Sequence, residues 1–196
     1  MIKYIIAALT ALMVVGCANT GAGNNIPLVW KPTTRVAKTE TVDLTGRTDA
    51  KVRIEVTDNR KDDRGFIGRN TEKLPPRNVT TRDNVAAFVN DNLTRLISGT
   101  GLTEVDSTSA VLLKAEVLEF FVEVTETYNG DVRLKITLID PSGTSIWTGI
   151  ISGASTRFGR SYRAENYYET LSDSLVEAVK NLMRNAAFRS ALEGVS

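Results

Sequence analysis

Four groups of residues in this chain are of types, and at spacings, that can do chemistry. The first is a lone thiol. Cys17 is the single cysteine of 196 residues, and it follows Val14-Val15-Gly16 at the end of an apolar run. A thiolate is the softest nucleophile among the side chains, so Cys17 is the residue of this chain best suited to covalent modification at sulfur. The second group lies in residues 58–82, where seven basic side chains (Arg60, Lys61, Arg64, Arg69, Lys73, Arg77, Arg82) face four acidic ones (Asp58, Asp62, Asp63, Glu72). Arg60, Arg64, Phe66 and Arg69 can hold an anionic polymer through charge-assisted hydrogen bonds. The plainer reading is a solvated loop in which Asp58 and Arg60 bond locally to hold a turn. The third group, Arg157, Arg160 and Arg163 interleaved with Phe158 and Tyr162, has the arginine-and-aromatic composition that protein interfaces favour. Its plainer reading has rings covering the edge of the core and arginines facing water. The fourth is a series of carboxylates, Glu116, Glu119, Glu123 and Glu126. Paired carboxylates can perform general acid–base work; on one alternating strand they instead face solvent and neighbouring lysines.

Two absences narrow the chemistry. There is no histidine, which removes the commonest general base and the commonest metal ligand. Asp58, Asp62 and Asp63 suggest a calcium loop, but such a loop needs oxygen ligands at alternate positions, and Arg60 stands at the second of them. No catalytic residue, metal or cofactor is expected, and the chain is read as a non-enzyme. The 24 basic and 23 acidic side chains nearly cancel, so nothing in the overall charge points to nucleic acid.

Lys3 followed by the uncharged residues 4–15 forms a positive-then-apolar start, shorter than the roughly 20 residues of a spanning helix. It is the pattern of a secretory signal. Val14-Val15-Gly16-Cys17 resembles the lipobox of bacterial lipoproteins, in which the cysteine receives a diacylglycerol and the chain is cut before it. Ordinary cleavage after Ala18 is the alternative, because Gly16-Cys17-Ala18 also fits a small-x-small site. The lipobox implies a signal peptide over 1–16 and a lipidated N-terminus, tether and poorly defined lead-in over 17–50. Two or more acyl chains, such as palmitate, give a stable membrane anchor at about 0.8 kcal/mol per buried methylene. Ala18, in place of aspartate at the second mature position, implies the outer membrane of a Gram-negative cell, facing the periplasm.

The elements that must position these groups follow from periodicity. Residues 51–58 alternate, with Val52, Ile54 and Val56 on one face. Residues 82–98 change to a helical period, with Val85, Phe88, Val89, Leu93, Leu96 and Ile97 on one stripe and Thr80, Thr81 or Asp83 as caps. In residues 110–128 the apolar parity switches, which predicts a β-bulge near 117–119. Asn129-Gly130 predicts a two-residue hairpin turn, residues 131–140 a second strand, and residues 145–156 a third. A last helix carries Leu171, Leu175, Val179, Leu182 and Met183, with Asn166 and Glu169 as a capping box and Asn185 marking a break. Each strand has one polar face. The expected fold is therefore α+β, one domain over 51–196, with a single antiparallel sheet in strand–helix–three-stranded meander–helix order and two helices packed on one face.

With the lipobox, the strand running into Asp58-Asn59-Arg60, the glycine-containing loop ending Ile67-Gly68, the following helix, Asn129-Gly130-Asp131-Val132-Arg133 and the helical tail, the chain resembles the YajG-type family of bacterial outer-membrane lipoproteins. The resemblance implies an α+β envelope lipoprotein without enzymatic activity and brings no site residues. The expected function is that of a lipid-anchored envelope protein contacting another protein, peptidoglycan or lipopolysaccharide. The alternative is a small-ligand or lipid-binding module with an apolar pocket between sheet and helices, lined by Leu118, Phe120, Phe121 and Trp147.

Overall fold

The computed structural model describes residues 24–33, 51–61, 64–72, 74–98, 100, 102–159 and 162–195. In chain order the elements are β1 (Asn24–Asn25), β2 (Lys51–Asp58), β3 (Phe66–Asn70), β4 (Arg77–Thr80), α1 (Val85–Ser98), β5 (Thr103–Glu104), β6 (Val111–Val124), β7 (Tyr128–Ile139), β8 (Ser145–Arg157), α2 (Ala164–Arg184) and α3 (Ala186–Glu193). The described strands form one sheet, and the helices cover the face onto which the alternating apolar side chains point.

The meander is present: β6, β7 and β8 pair antiparallel in succession. The sheet as a whole is mixed, which corrects the expectation of a purely antiparallel one. β2 and β3 both run parallel to β6, β2 runs parallel to β5, and β1 runs parallel to β4. The cause is α1, which stands in sequence between β2 and β6. A helix returning the chain across one face of a sheet brings the next strand in with the same direction.

The parity switch does mark a bulge: the β6–β7 register shifts between Val117 and Glu119. Before it Val111, Leu113, Ala115 and Val117 are buried; after it Phe120, Val122 and Val124 are. The expected hairpin turn is displaced. Asn129 and Gly130 lie inside β7, paired with Glu123 and Val122, and residues 125–127 make the turn, closed by the Thr125 amide donating to the Thr127 carbonyl at 3.1 Å. Tyr128 decides this. Its ring is fully buried and packs edge-on to Tyr167 with centroids 5.0 Å apart, so the inward series begins two residues before the glycine.

Gly130 then faces α2. A Cβ there would stand 2.6 Å from Thr170 Cγ2 and 2.7 Å from Ser174 Oγ, and one at Gly153 would meet α2 backbone at 2.1 Å. These glycines, opposite Thr170, Ser174 and Ala178, set α2 directly on the sheet. That close seating explains why small polar residues are buried on a helix.

Two caps also differ from expectation. Asn84 caps α1, its Oδ1 accepting from the Ala87 amide at 3.1 Å, while Asp83 accepts from the Leu28 amide at 2.7 Å. α2 begins after Arg163 without a side-chain cap, so Asn166 and Glu169 lie inside the helix. Asn185 is the expected break, accepting from the Phe188 amide at 3.0 Å to start α3. Residues 24–33, read from sequence as lead-in, belong to the packed body: Ile26 is buried, and Trp30 packs tilted against Phe88, which packs edge-on to Phe120.

Candidate functional site

The site grows out of the bulge. β2 accompanies β6 as far as Val117, opposite Asp58, and β3 takes over at Val122, opposite Gly68. Between these points no strand lies beside that edge of β6 among the described residues, and Asn59, Arg60 and Lys61 adjoin it. An open cleft of about 470 Å³ results, walled by Leu118, Phe121 and Phe66, with Lys61, Arg69 and Arg133 around it. Phe66 and Phe121 pack tilted at 5.2 Å between centroids, and the Arg69 guanidinium stands 5.9 Å over the Phe66 ring. Arg133 is ion-paired to Glu119. Among the described residues Lys61 and Arg69 have no carboxylate partner.

Arg60 has a different task. It binds Asp58 in bidentate fashion, Nε to Oδ1 at 2.9 Å and Nη2 to Oδ2 at 2.8 Å. It also donates to the carbonyls of Phe66, at 2.9 Å, and Arg64. Both side chains of the pair are more than nine-tenths buried, at 6% and 8% exposure. Burial alone would raise the Asp58 carboxyl; the hydrogen bonds and charge of Arg60 outweigh it and hold the group below its usual value. Arg60 is thus the staple of the turn, its plainer reading in the sequence. Arg64 lies away from the bulge cleft, on a second cleft of about 590 Å³ beside Arg82 and Asp83.

The arginine–aromatic group sits elsewhere, at the end of the sheet where β8 stops. Arg157 pairs with the buried Glu169, which Lys31 also approaches at 2.9 Å. Lys31 reaches Glu165 as well; hydrogen bonds to these two carboxylates raise its pKa. Tyr162 has φ +71°, uncommon for a bulky residue, and the Arg77 guanidinium lies 5.4 Å over its ring. Arg163 is exposed at the start of α2. Arg160 and Cys17 lie outside the described residues.

The carboxylate series on β6 does not form an acid–base pair. Glu116 accepts from Lys135 at 2.9 Å and from Asn59 at 2.6 Å. The Lys135 bond, working against partial desolvation and helped by Asn59, lowers its pKa. The residues expected to line an apolar pocket between sheet and helices separate. Phe120 is buried in the core, Leu118 and Phe121 line the outer cleft, and Trp147 packs edge-on to Phe188 of α3 at 5.2 Å. Of the cleft, Arg133 went unmarked as a site in the sequence, Lys61 was read only as part of the basic segment, and Leu118 and Phe121 were assigned to an inner pocket rather than to this outer one. The parity switch was the available signal, because a bulge turns Phe121 outward to meet Phe66.

No family model matches the chain, and a search of curated proteins finds no match. Solved structures do resemble it. Protein XCC0632 from Xanthomonas campestris, of the family DUF330, aligns over 88% of this chain and 95% of its own at 10% identity, with a TM-score of 0.56. A candidate lipoprotein from Caulobacter crescentus aligns over 65% of this chain and 91% of its own, at 11% identity and a TM-score of 0.46. Lipoprotein GNA1162 from Neisseria meningitidis aligns over 57% and 88%, at 12% identity and a TM-score of 0.35. The first likeness is close enough to establish a shared α+β fold. Among the described residues no helix is long and apolar enough to cross a membrane.

Proposed function

We propose that this chain is a lipid-anchored protein of the bacterial outer membrane, facing the periplasm, that works by binding rather than by catalysis. The anchor is Cys17, in the lipobox sequence; the binding site is the cleft at the fork of the sheet. One observation carries the site: an aromatic pair, Phe66 and Phe121, stands beside two cations, Lys61 and Arg69, that have no carboxylate partner among the described residues. Such a surface suits an anionic partner that also offers apolar area, either an envelope polymer or an acidic protein segment. Among the described residues the titratable groups with shifted pKa values are held in ion pairs or turns (Lys31, Asp58, Glu116, Asp140, Glu165) or are raised by burial (Tyr167, Asp173).

The test is retention on purified peptidoglycan and on lipopolysaccharide, alongside photocrosslinking to envelope proteins from position 121. Lys61→Ala with Arg69→Ala is expected to lower retention or crosslinking about tenfold or more, with sensitivity to salt, while leaving thermal unfolding unchanged. Unchanged binding in a folded double variant refutes the site. Absence of fatty-acid labelling at Cys17 refutes the anchor.

A further inference from the structure

The topology shows which end of the domain faces the lipid. β1 runs parallel to β4, with Asn24 opposite Val79, so the chain enters β1 from the side of Arg77, the first residue of β4. That end of the sheet also holds the last residue of β6, the 125–127 turn, the last residue of β8 and the start of α2. Arg77 over Tyr162 ties the two outer loops together. These loops carry Leu74, 90% exposed, and Phe158, 84% exposed, the two barest large apolar side chains among the described residues. Singly exposed apolar residues are ordinary; what distinguishes this pair is that both stand at the end from which the N-terminal chain departs.

The chain length fixes how far that end can be from an anchored sulfur. Seven residue steps separate Cys17 from Asn24, a reach of about 25 Å when fully extended at about 3.6 Å per residue. The headgroup zone alone occupies about 5–8 Å on each side of the hydrocarbon. We infer that Leu74 and Phe158 insert into the membrane interface, so that the domain stands end-on at the bilayer with the bulge cleft on a lateral face. Leucine and phenylalanine supply the insertion, as in interfacial anchors. By sequence the two loops carry Lys73, Arg77, Arg160 and Arg163 against Glu72, with Glu126 in the neighbouring turn, so attraction to an anionic surface adds a salt-sensitive part to the apolar insertion.

This orientation rests on the lipid anchor proposed at Cys17, and the experiment separates the two. The full chain with its acylated Cys17 has no other thiol, so Leu74→Cys, Phe158→Cys and Ser142→Cys each accept one nitroxide label. Ser142 lies in the turn between β7 and β8, at the opposite end of the sheet. In vesicles of phosphatidylethanolamine and phosphatidylglycerol, labels at 74 and 158 are expected to be several-fold more accessible to oxygen, relative to a water-soluble nickel chelate, than the label at 142. Protein that floats with vesicles but shows water-like labels at all three positions overturns the orientation and leaves the anchor standing. Labels that are dry in native membranes and wet in pure lipid overturn it in favour of a protein covering that end. Unlabelled protein that fails to float at all overturns both.

Discussion

Gly153 is where the seating of α2 is most exposed to a single atom. An added Cβ would stand 2.1 Å from the Ser174 carbonyl oxygen, 2.2 Å from the Ala178 nitrogen and 2.8 Å from the Glu177 carbonyl carbon. All three are helix backbone, so no side chain can rotate out of the way; α2 must withdraw by about 1 Å to restore ordinary contact. A gap of that size forfeits roughly a quarter to a half of the dispersion attraction across it, and the face affected carries Tyr167, Leu171, Leu175, Val179 and Leu182. Against this, alanine restricts the unfolded chain and would by itself stabilise by about 0.4–1 kcal/mol. Overpacking dominates: Gly153→Ala is expected to cost about 3 kcal/mol, the upper end of the range for such changes, and to lower Tm by about 10 °C. Gly130→Ala meets the side chains of Thr170 and Ser174 first and should cost about 2 kcal/mol. Gly194→Ala meets nothing closer than 3.7 Å and should be neutral within about 0.5 kcal/mol. Urea unfolding followed by Trp30 and Trp147 fluorescence measures all three. A Gly153→Ala protein as stable as Gly194→Ala would refute the seating of α2 on this glycine.

Three further outcomes follow from the same packing. Arg60→Ala leaves the Asp58 carboxylate buried without its partner and should cost about 3–5 kcal/mol at pH 7. Because the folded-state pKa of Asp58 is depressed, the stabilisation is present above its unfolded value of about 4 and is lost as pH falls through the folded value, so the gap between variant and parent in urea midpoints should close at acid pH. Asp173 has its pKa raised by burial, against the lowering effect of the Thr33 bonds. Its ionisation therefore opposes folding, and Asp173→Asn should raise the urea midpoint at pH 7, with the gain vanishing below the unfolded carboxylate range. Trp30→Ala removes the outer ring of the Trp30–Phe88–Phe120 cluster and should cost about 2–3 kcal/mol, measured by calorimetry, because residues 24–33 are part of the folded body.

What was legible in the sequence was whatever a local period carries. The stripe on α1, the parity switch at the bulge and the break at Asn185 depend on residues within one or two turns of each other, and the structure places each where the pattern put it; the meander is present too, with its first turn moved to residues 125–127. The direction of β2 against β6 depends on a connection more than fifty residues long. One polar face per strand suited an antiparallel sheet, yet a parallel pair covered on one side has the same signature; the intervening helix was the better guide. Asn129-Gly130 misled because a turn-forming pair was read without its partner face. The glycine is there for Thr170 and Ser174, forty residues downstream. The site divided in the same way: Arg60 and Arg69 share one charged segment, but only pairing geometry shows that the first is held by Asp58 and the second stands over Phe66.

The bulge joins these observations into one cause. An extra residue in β6 shifts its inward series, keeping Phe120 in the core while turning Phe121 out. It also falls where β2 ends and β3 begins, so the edge of β6 over 118–121 has no strand beside it among the described residues, and Asp58 and Arg60 staple the segment that adjoins it. The cleft, its aromatic wall and its cations are therefore consequences of one inserted position and the strand exchange beside it. It follows that the roles within the basic segment are unequal: Arg60 shapes the cleft, whereas Lys61, Arg69 and the Phe66–Phe121 pair are what a partner would touch. Substitutions at the first should change stability and those at the second should change binding, and a variant series that reversed this order would refute the division.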